Sequence, residues 1–379
     1  MVTDVIPIVD RIAREVVAPG AAAVDAKALF PADSLQALRE AGLLGLLTAT
    51  EMGGLGGTLR TAAQAVERLA RSCGSTAMVL CMHYAGASVI EKYGSPALRR
   101  EVGAGRHLST LAFSEAGSRS QFWLPVSTAT RVAGGIRLEA RKGWVTSARH
   151  ATAYVWSSRL VAQEAAGASA SGSTLWLVPA DARGLTVSQP FDGLGLRGND
   201  SSPVIAEAVH IPEQNRLGPD GGGFGVMMET VLPVFNVLSA ACSVGLMTAA
   251  VERTAAHVAT THFEPAGTAV ADLPTVRAFV ARMHIQTEMA RTLWLDTIAA
   301  LEDARPDAML RVLACKAAAG EAATDTLGLA MRVCGGAAFR RETGVERIFR
   351  DAQAGTLMAP TTDALYDFIG KAVCGMPLF

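Results

Sequence analysis

The chain has 379 residues, 50% of them apolar and only 18% charged, which excludes a long disordered chain or a solvated rod and calls for a buried core. At about 150 residues per domain, the length suits two or three domains. Thirty-four basic against thirty-five acidic side chains leave a net charge of −1, without the positive excess that would neutralise nucleic acid or an anionic membrane.

Up to about residue 105 the pattern is helical and rich in Ala and Leu: Ile12 to Val17, a helix led by Pro31 through Leu43, Thr61 to Arg71, and Thr76 to Tyr93. Gly53, Gly54, Gly56 and Gly57, then Gly94 and Pro96, punctuate it. From about 109 to 212, short alternating segments predict an antiparallel β-domain: Ser127 to Val132, Ile136 to Ala140, Thr152 to Ser158, Thr174 to Val178 and Leu185 to Ser188. Within it, Ala165 to Ser173 contains only Ala, Gly and Ser and reads as a mobile hairpin loop.

From Gly221 the helical period returns, with a helix opened by Pro274, another from about Asp307 to Cys334 stopped by Gly335 and Gly336, and a last one from Thr362 to Val373. The order predicts an α+β fold: a helical domain over 1–108, a β-domain over 109–217 and a four-helix bundle over 218–379. The N-terminus lacks the basic region of a secretory signal. The most apolar run, Val237 to Val251, is broken by Ser239, Ser243 and Thr248 and is shorter than the ~20 residues of a bilayer span. Six scattered cysteines without C-x-x-C or a histidine at metal spacing read as buried thiols in a reducing compartment. These features together predict a soluble, cytoplasmic protein without a metal site.

Standard catalytic motifs fail. The glycine runs at Gly53 to Gly57 and Gly221 to Gly225 match neither G-x-G-x-x-G nor a phosphate-binding loop, and no hydrolase triad or H-E-x-x-H stands out. The chemistry is then expected from a cofactor.

The order of segments and several local motifs resemble the acyl-CoA dehydrogenase family over nearly the whole chain. Phe30-Pro31, Ala41-Gly42-Leu43-Leu44-Gly45 and the Gly53-Gly54 turn are similar to its N-terminal domain. Ser114-Glu115-Ala116-Gly117-Ser118-Arg119-Ser120-Gln121 resembles T-E-P-G-A-G-S-D, and Lys142 to Ser147 resembles K-x-W-I-T-N. Leu194 to Asp200 is similar to L-G-x-R-G-S-D, and Gly335-Gly336, Val345-Glu346-Arg347 and Arg350-Asp351-Ala352 follow the C-terminal pattern.

The resemblance implies FAD between the β-domain and the bundle, in a homo-oligomer (dimer or tetramer) whose neighbouring subunit completes the site. By carry-over, Trp144 covers the isoalloxazine ring, the Thr146 hydroxyl bonds near flavin N5, and Phe113, Ser114 and Ser120 line flavin or thioester. Thr361 matches the threonine near the FAD phosphates, and Asp363 a contact in the following helical turn. Phe263 is retained from R-x-x-F-G, but its arginine is Thr260 and its glycine Glu264. Arg332, in the glutamine position of Q-x-x-G-G before Gly335 and Gly336, either binds the pyrophosphate as a replacement fork or simply ends a helix favourably.

A further departure concerns the reaction. Counting from Arg350-Asp351-Ala352, the family's catalytic glutamate position is Ala359, and the alternative site before an arginine on the first bundle helix is Phe235, followed by Asn236. Asp363, His83 and Tyr366 are the candidate replacement groups, and Ser120, Phe235, Asn236, Met358 and Ala359 the candidate substrate pocket. The expectation is an FAD-dependent oxidoreductase of an acyl thioester, on CoA or a carrier protein, that uses oxygen as a monooxygenase or oxidase. The alternatives are a dehydrogenase with a relocated base, which would need an electron-transfer partner, and a non-catalytic scaffold of the same fold.

Overall fold

In a computed structural model, residues 4–160 and 172–378 are described; the expected loop from Ala165 lies outside them as far as residue 171. The first helical stretch starts earlier than expected, as α1 (Ile6–Ile12), and runs through a π turn at Ala13–Val17 into α2 (Ala18–Ala26). Helices α3 (Ala32–Glu40), α4 (Leu59–Ala70), α5 (Gly74–Tyr93) and α6 (Pro96–Gly103) follow. Thr58 caps α4 and Ser95 caps α6, each side chain accepting the N–H three residues on at 3.3 Å.

The sheet comprises β1 (Ser109–Ala112), β2 (Thr128–Val132), β3 (Gly135–Val145), β4 (Ala153–Leu160), β5 (Ser173–Pro179), β6 (Leu185–Val187), β7 (Ser202–Ile211) and β8 (Arg216–Leu217). Its order is β6-β7-β3-β2-β4-β5-β8, with β1 also beside β4. The antiparallel expectation holds except along one edge of β4, where β1 pairs with Ala153–Trp156 and β2 with Arg159 and Leu160, both parallel. β1 and β2 thus lie end to end along the same edge of β4, and the chain between them leaves the sheet in an excursion that carries Phe113, Ser114 and Ser120.

Side-chain alternation divides the sheet between two cores. Tyr154, Trp156 and Trp176 pack with Ile136, Leu138 and Val209 on one face, while Val155 and Leu175 turn into the helical core on the other.

After α7 (Gly223–Val226) and a π turn at Met227–Val231 comes α8 (Leu232–Thr260), followed by a hairpin of β9 (His262–Phe263) and β10 (Thr268–Ala269). Helices α9 (Pro274–Glu302), α10 (Ala308–Cys334), α11 (Val345–Ala352), α12 (Ala354–Leu357) and α13 (Thr362–Val373) complete the chain. The continuous helical stretch Gly223–Thr260 is long and apolar enough to cross a membrane, but 83% of its most apolar window is buried inside the protein. It is the core of the bundle, packed on α9, α10 and the N-terminal α4 and α5, so the two helical parts share one apolar core.

Candidate active site

Strand β3 loses register with β7 between Lys142 and Val145, and this bulge carries Trp144. Its backbone is left-handed at φ +57°, and its ring is 72% exposed, edge-on to Phe191 at 6.4 Å. That conformation costs about 1–2 kcal/mol in an L-residue and persists where the surroundings enforce it. Beneath it, the buried Lys142 ammonium donates to the Glu115 carboxylate and to the Ser157 carbonyl at 2.6 Å. Glu115 also accepts the N–H groups of Val126 and Ser127, and Gly143 N–H donates to the Ser114 carbonyl at 2.9 Å. Burial alone would raise Glu115, but the adjoining ammonium and N–H donors outweigh it and hold its carboxyl below the ordinary value. The excursion between β1 and β2 is thus fastened to the strand bearing Trp144. Thr146, two residues on, is buried with its hydroxyl 3.1 Å from that of Ser201.

The excursion also reaches the bundle. Thr361 N–H and hydroxyl lie 3.4 and 3.3 Å from the Ser120 hydroxyl, while the Thr361 side chain caps α13 by accepting Ala364 N–H at 3.4 Å. Phe113 stacks on Phe122 with centroids 6.3 Å apart. Met358 and Ala359 are half-buried beside this contact. Their segment is gripped from α10 by Lys316, whose ammonium donates to the carbonyls of Gly355, Met358 and Pro360 at 3.2, 3.0 and 2.8 Å. Burial pushes this ammonium down to about 7.

Phe235 and Asn236 are buried on α8, and Asn236 Nδ2 donates to the Val312 carbonyl at 3.2 Å. A small cavity of about 10 Å³ lies farther along that helix, lined by Met78, Ser239, Ser243, Asp351, Gly355 and Met358 among others. Asp351 accepts Leu196 N–H at 2.6 Å, and burial raises its carboxyl to about 6. The Leu194–Asp200 loop is pressed onto α11 here, since a Cβ on Gly195 would stand 2.2 Å from the Arg350 carbonyl oxygen.

The candidate replacement bases stand elsewhere. His83 is fully buried, with Nε2 donating to the Leu44 carbonyl at 2.7 Å and Nδ1 accepting Ser109 N–H at 3.0 Å. Both nitrogens are occupied, and desolvation lowers the ring to about 4, so it is a structural histidine rather than a base. Asp363 is exposed in the first turn of α13. Tyr366 donates to Glu321, which pushes the phenol up to about 12.

Four of the cofactor candidates lie at the opposite end of the bundle. Phe263 is exposed in the hairpin after α8, Arg332 stacks over Phe279 at 4.7 Å near the end of α10, and Gly335 and Gly336 follow it in open surroundings. The Cys334 thiol, 3.8 Å from the Thr254 hydroxyl, places the ends of α8 and α10 together. From Lys316, which holds the Pro360 carbonyl beside Thr361, to Arg332, α10 rises roughly 24 Å, so one chain does not bring this group to Ser120 and Thr361. Thr260, at the arginine position, donates back to the Ala256 carbonyl of its own helix at 2.9 Å.

The acyl-CoA dehydrogenase N-terminal, middle and C-terminal domain models match residues 5–104, 110–209 and 221–374. The chain belongs to the acyl-CoA dehydrogenase family. The short-chain specific acyl-CoA dehydrogenase of human mitochondria is 30% identical over 356 residues, covering 91% of this chain and 83% of that protein. Butyryl-CoA dehydrogenase from Megasphaera elsdenii superposes with a TM-score of 0.90 at 21% identity, covering 98% of this chain and 97% of the other. The prolyl acyl carrier protein oxidase AnaB superposes at 0.87 and 19% identity, covering 97% of each chain.

Membership makes the chain an oxidoreductase with FAD as its cofactor. The residues present fit that group: an exposed aromatic face on a strained strand bulge, hydroxyls at Thr146, Ser120 and Thr361, and an open Gly335-Gly336 turn whose first residue, at φ +55° and ψ −136°, has a backbone suited to glycine.

Sequence reasoning passed over Ser239, Asp351 and Lys316. A signal for the first was present: Ser239 and Ser243 interrupt an otherwise apolar helix, and both line the cavity. Thr248, in the same run, instead donates to the Val244 carbonyl at 2.8 Å. Lys316 stands out only as the single lysine of an Ala-rich helix.

Proposed function

We propose that the chain acts on an acyl thioester, carried by CoA or by a carrier protein, and that its reaction uses dioxygen, as a monooxygenase or oxidase, in place of α,β-desaturation. The observation that carries this reading is Ala359. The position expected for a proton-abstracting carboxylate holds a methyl group, and the alternative position on α8 holds Phe235. A missing general base costs about 10²–10⁴-fold in an α-proton abstraction. The fold is shared with AnaB, by name an oxidase of a prolyl acyl carrier protein, which supports a carrier-bound thioester as one form of the substrate.

Bound FAD supplies two-electron redox chemistry. Around it, Trp144 covers the ring, Thr146 donates towards it, and Phe113, Ser114, Ser120 and Thr361 line the junction of flavin and thioester. Ala359 N–H polarises the thioester carbonyl. Arg332, Phe263, Gly335 and Gly336 of a second copy reach the pyrophosphate, which makes the working unit a homo-oligomer.

The test is the visible spectrum and product analysis of holoprotein with butyryl-CoA and a carrier-bound acyl thioester. It is run first without dioxygen, then after dithionite reduction and admission of air. The expected result is no enoyl thioester without dioxygen, and thioester consumption with oxygen uptake once air enters. Enoyl thioester formed anaerobically, up to one equivalent of flavin, overturns the reading in favour of α,β-desaturation, as by a dehydrogenase. One observation favours that second reading: Asp351 places a buried carboxyl against the cavity, its pKa raised to about 6.

A further inference from the structure

The small cavity beside Met358 has a polar side that a plain alkyl chain would not require. Ser239, Ser243 and Leu246 recur along one face of α8 and line it, with Met78 from α5 and Gly355 and Met358 opposite. Ser239 is 1% exposed, and its hydroxyl has no hydrogen-bond partner among the described residues. Asn236, three residues earlier on the same helix and fully buried, likewise leaves its Oδ1 unpartnered. Across the cavity stands the carboxyl of Asp351, one oxygen of which accepts Leu196 N–H.

Ser243 contributes a second hydroxyl, so close to the far wall that a Cβ on Gly355 would stand 3.0 Å from its oxygen. Glycine at 355 therefore leaves that hydroxyl in place. Polar groups from two elements thus converge on a space of about 10 Å³, which holds a group the size of one water. An apolar chain seated there would bury the Ser239 hydroxyl without a partner, which is unfavourable.

We propose that this cavity seats a hydrogen-bonding substituent, a hydroxyl or an amine, on a short acyl chain, and that Ser239 selects for it. The proposal rests on the acyl-thioester reading above. It makes Ser239 a specificity residue and sets an upper limit on chain length, since a space of about 10 Å³ walled by Leu246 and Met78 admits no long alkyl chain. A buried donor or acceptor that loses its partner discriminates more sharply than a missing methylene does.

The experiment measures Kd by calorimetry on the holoenzyme for the butyryl, 4-hydroxybutyryl, 4-aminobutyryl and octanoyl thioesters, each on CoA and on a carrier protein, in the wild type and in Ser239→Ala and Ser239→Val. At least one of the two polar acyl groups is expected to bind about tenfold more tightly than butyryl, with octanoyl weakest. Ser239→Ala is expected to remove most of that preference and Ser239→Val to reverse it. Butyryl or octanoyl binding as well as the polar chains in the wild type would overturn the proposal and mark the cavity as a water site, leaving the acyl-thioester reading standing. A polar preference unchanged in both variants would overturn the role of Ser239. Failure of every thioester to bind would overturn both readings together.

Discussion

The Lys316 ammonium donates to the Pro360 carbonyl at 2.8 Å and so holds, from the middle of α10, the turn that follows Ala359. Because Gly355 and Met358 share the same ammonium, one side chain fixes both ends of the segment facing the cavity. Lys316→Met keeps the length of the stem and leaves three carbonyls without their donor. A loss of about 2–4 kcal/mol is expected, read as a lower urea midpoint at unchanged slope. A KM increase larger than the fall in kcat would show that the segment has loosened rather than that a reacting group is gone.

Trp144 separates stability from cofactor binding. Its ring is exposed and its backbone is left-handed, so Trp144→Gly removes little packing and relieves the φ constraint. Flavin-free protein is expected to gain about 1 kcal/mol. FAD is expected to bind roughly tenfold more weakly through loss of the aromatic face. Thermal melts of the apoprotein and flavin release on dilution check the two halves independently.

His83 links folding to pH. Burial lowers its pKa to about 4, against an ordinary 6.5, so between those values the unfolded chain binds more protons than the folded one. The stability it contributes is complete above pH 6.5 and is lost as pH falls towards 4, by about 3 kcal/mol at most. His107, lowered to about 4 mainly by burial, acts in the same direction. Asp351, raised to about 6, opposes them by favouring the protonated folded state in acid. The sharp observable is therefore a difference: His83→Gln is expected to flatten the fall in urea midpoint between pH 7 and 4.5 relative to wild type.

Ala359→Glu restores a carboxylate to the segment that Lys316 holds. It is expected to raise anaerobic formation of enoyl thioester by about 10²-fold, measured by product analysis in single turnover. No gain, in a variant that still binds flavin, would mean that the thioester does not present its α-carbon to this position.

Much of the fold was legible because its helices are amphipathic or apolar stretches with firm stops: the last one, Thr362–Val373, begins and ends where the residue pattern places it. Strands were legible as β-rich runs between turn residues, even where both faces are buried, as in β4 and β5. β1 was missed because a run of four residues is too short to show a period, and β7 because a left-handed Ala208 breaks its period. At the candidate site, local motifs pointed to Ser120 and Thr361, which the fold brings within 3.4 Å of each other, and to Trp144 on its exposed bulge. Burial could not be read in this way: His83 is indistinguishable in sequence from an accessible base, and the Lys142–Glu115 pair is joined across 27 residues by an isolated β-bridge.

The separation of roughly 24 Å along α10 between Lys316 and Arg332 implies complementation between damaged copies. One chain altered at Ser120 and another altered at Arg332 would each be inactive alone. In an equal mixture, half the pairs would be hybrid, and in each hybrid one of two centres would draw both of its halves from undamaged surfaces. About a quarter of full activity should return on mixing and reassociation, provided the pairing is twofold symmetric. Each flavin would then be held jointly, and diluting the protein would release cofactor and separate subunits in a single event.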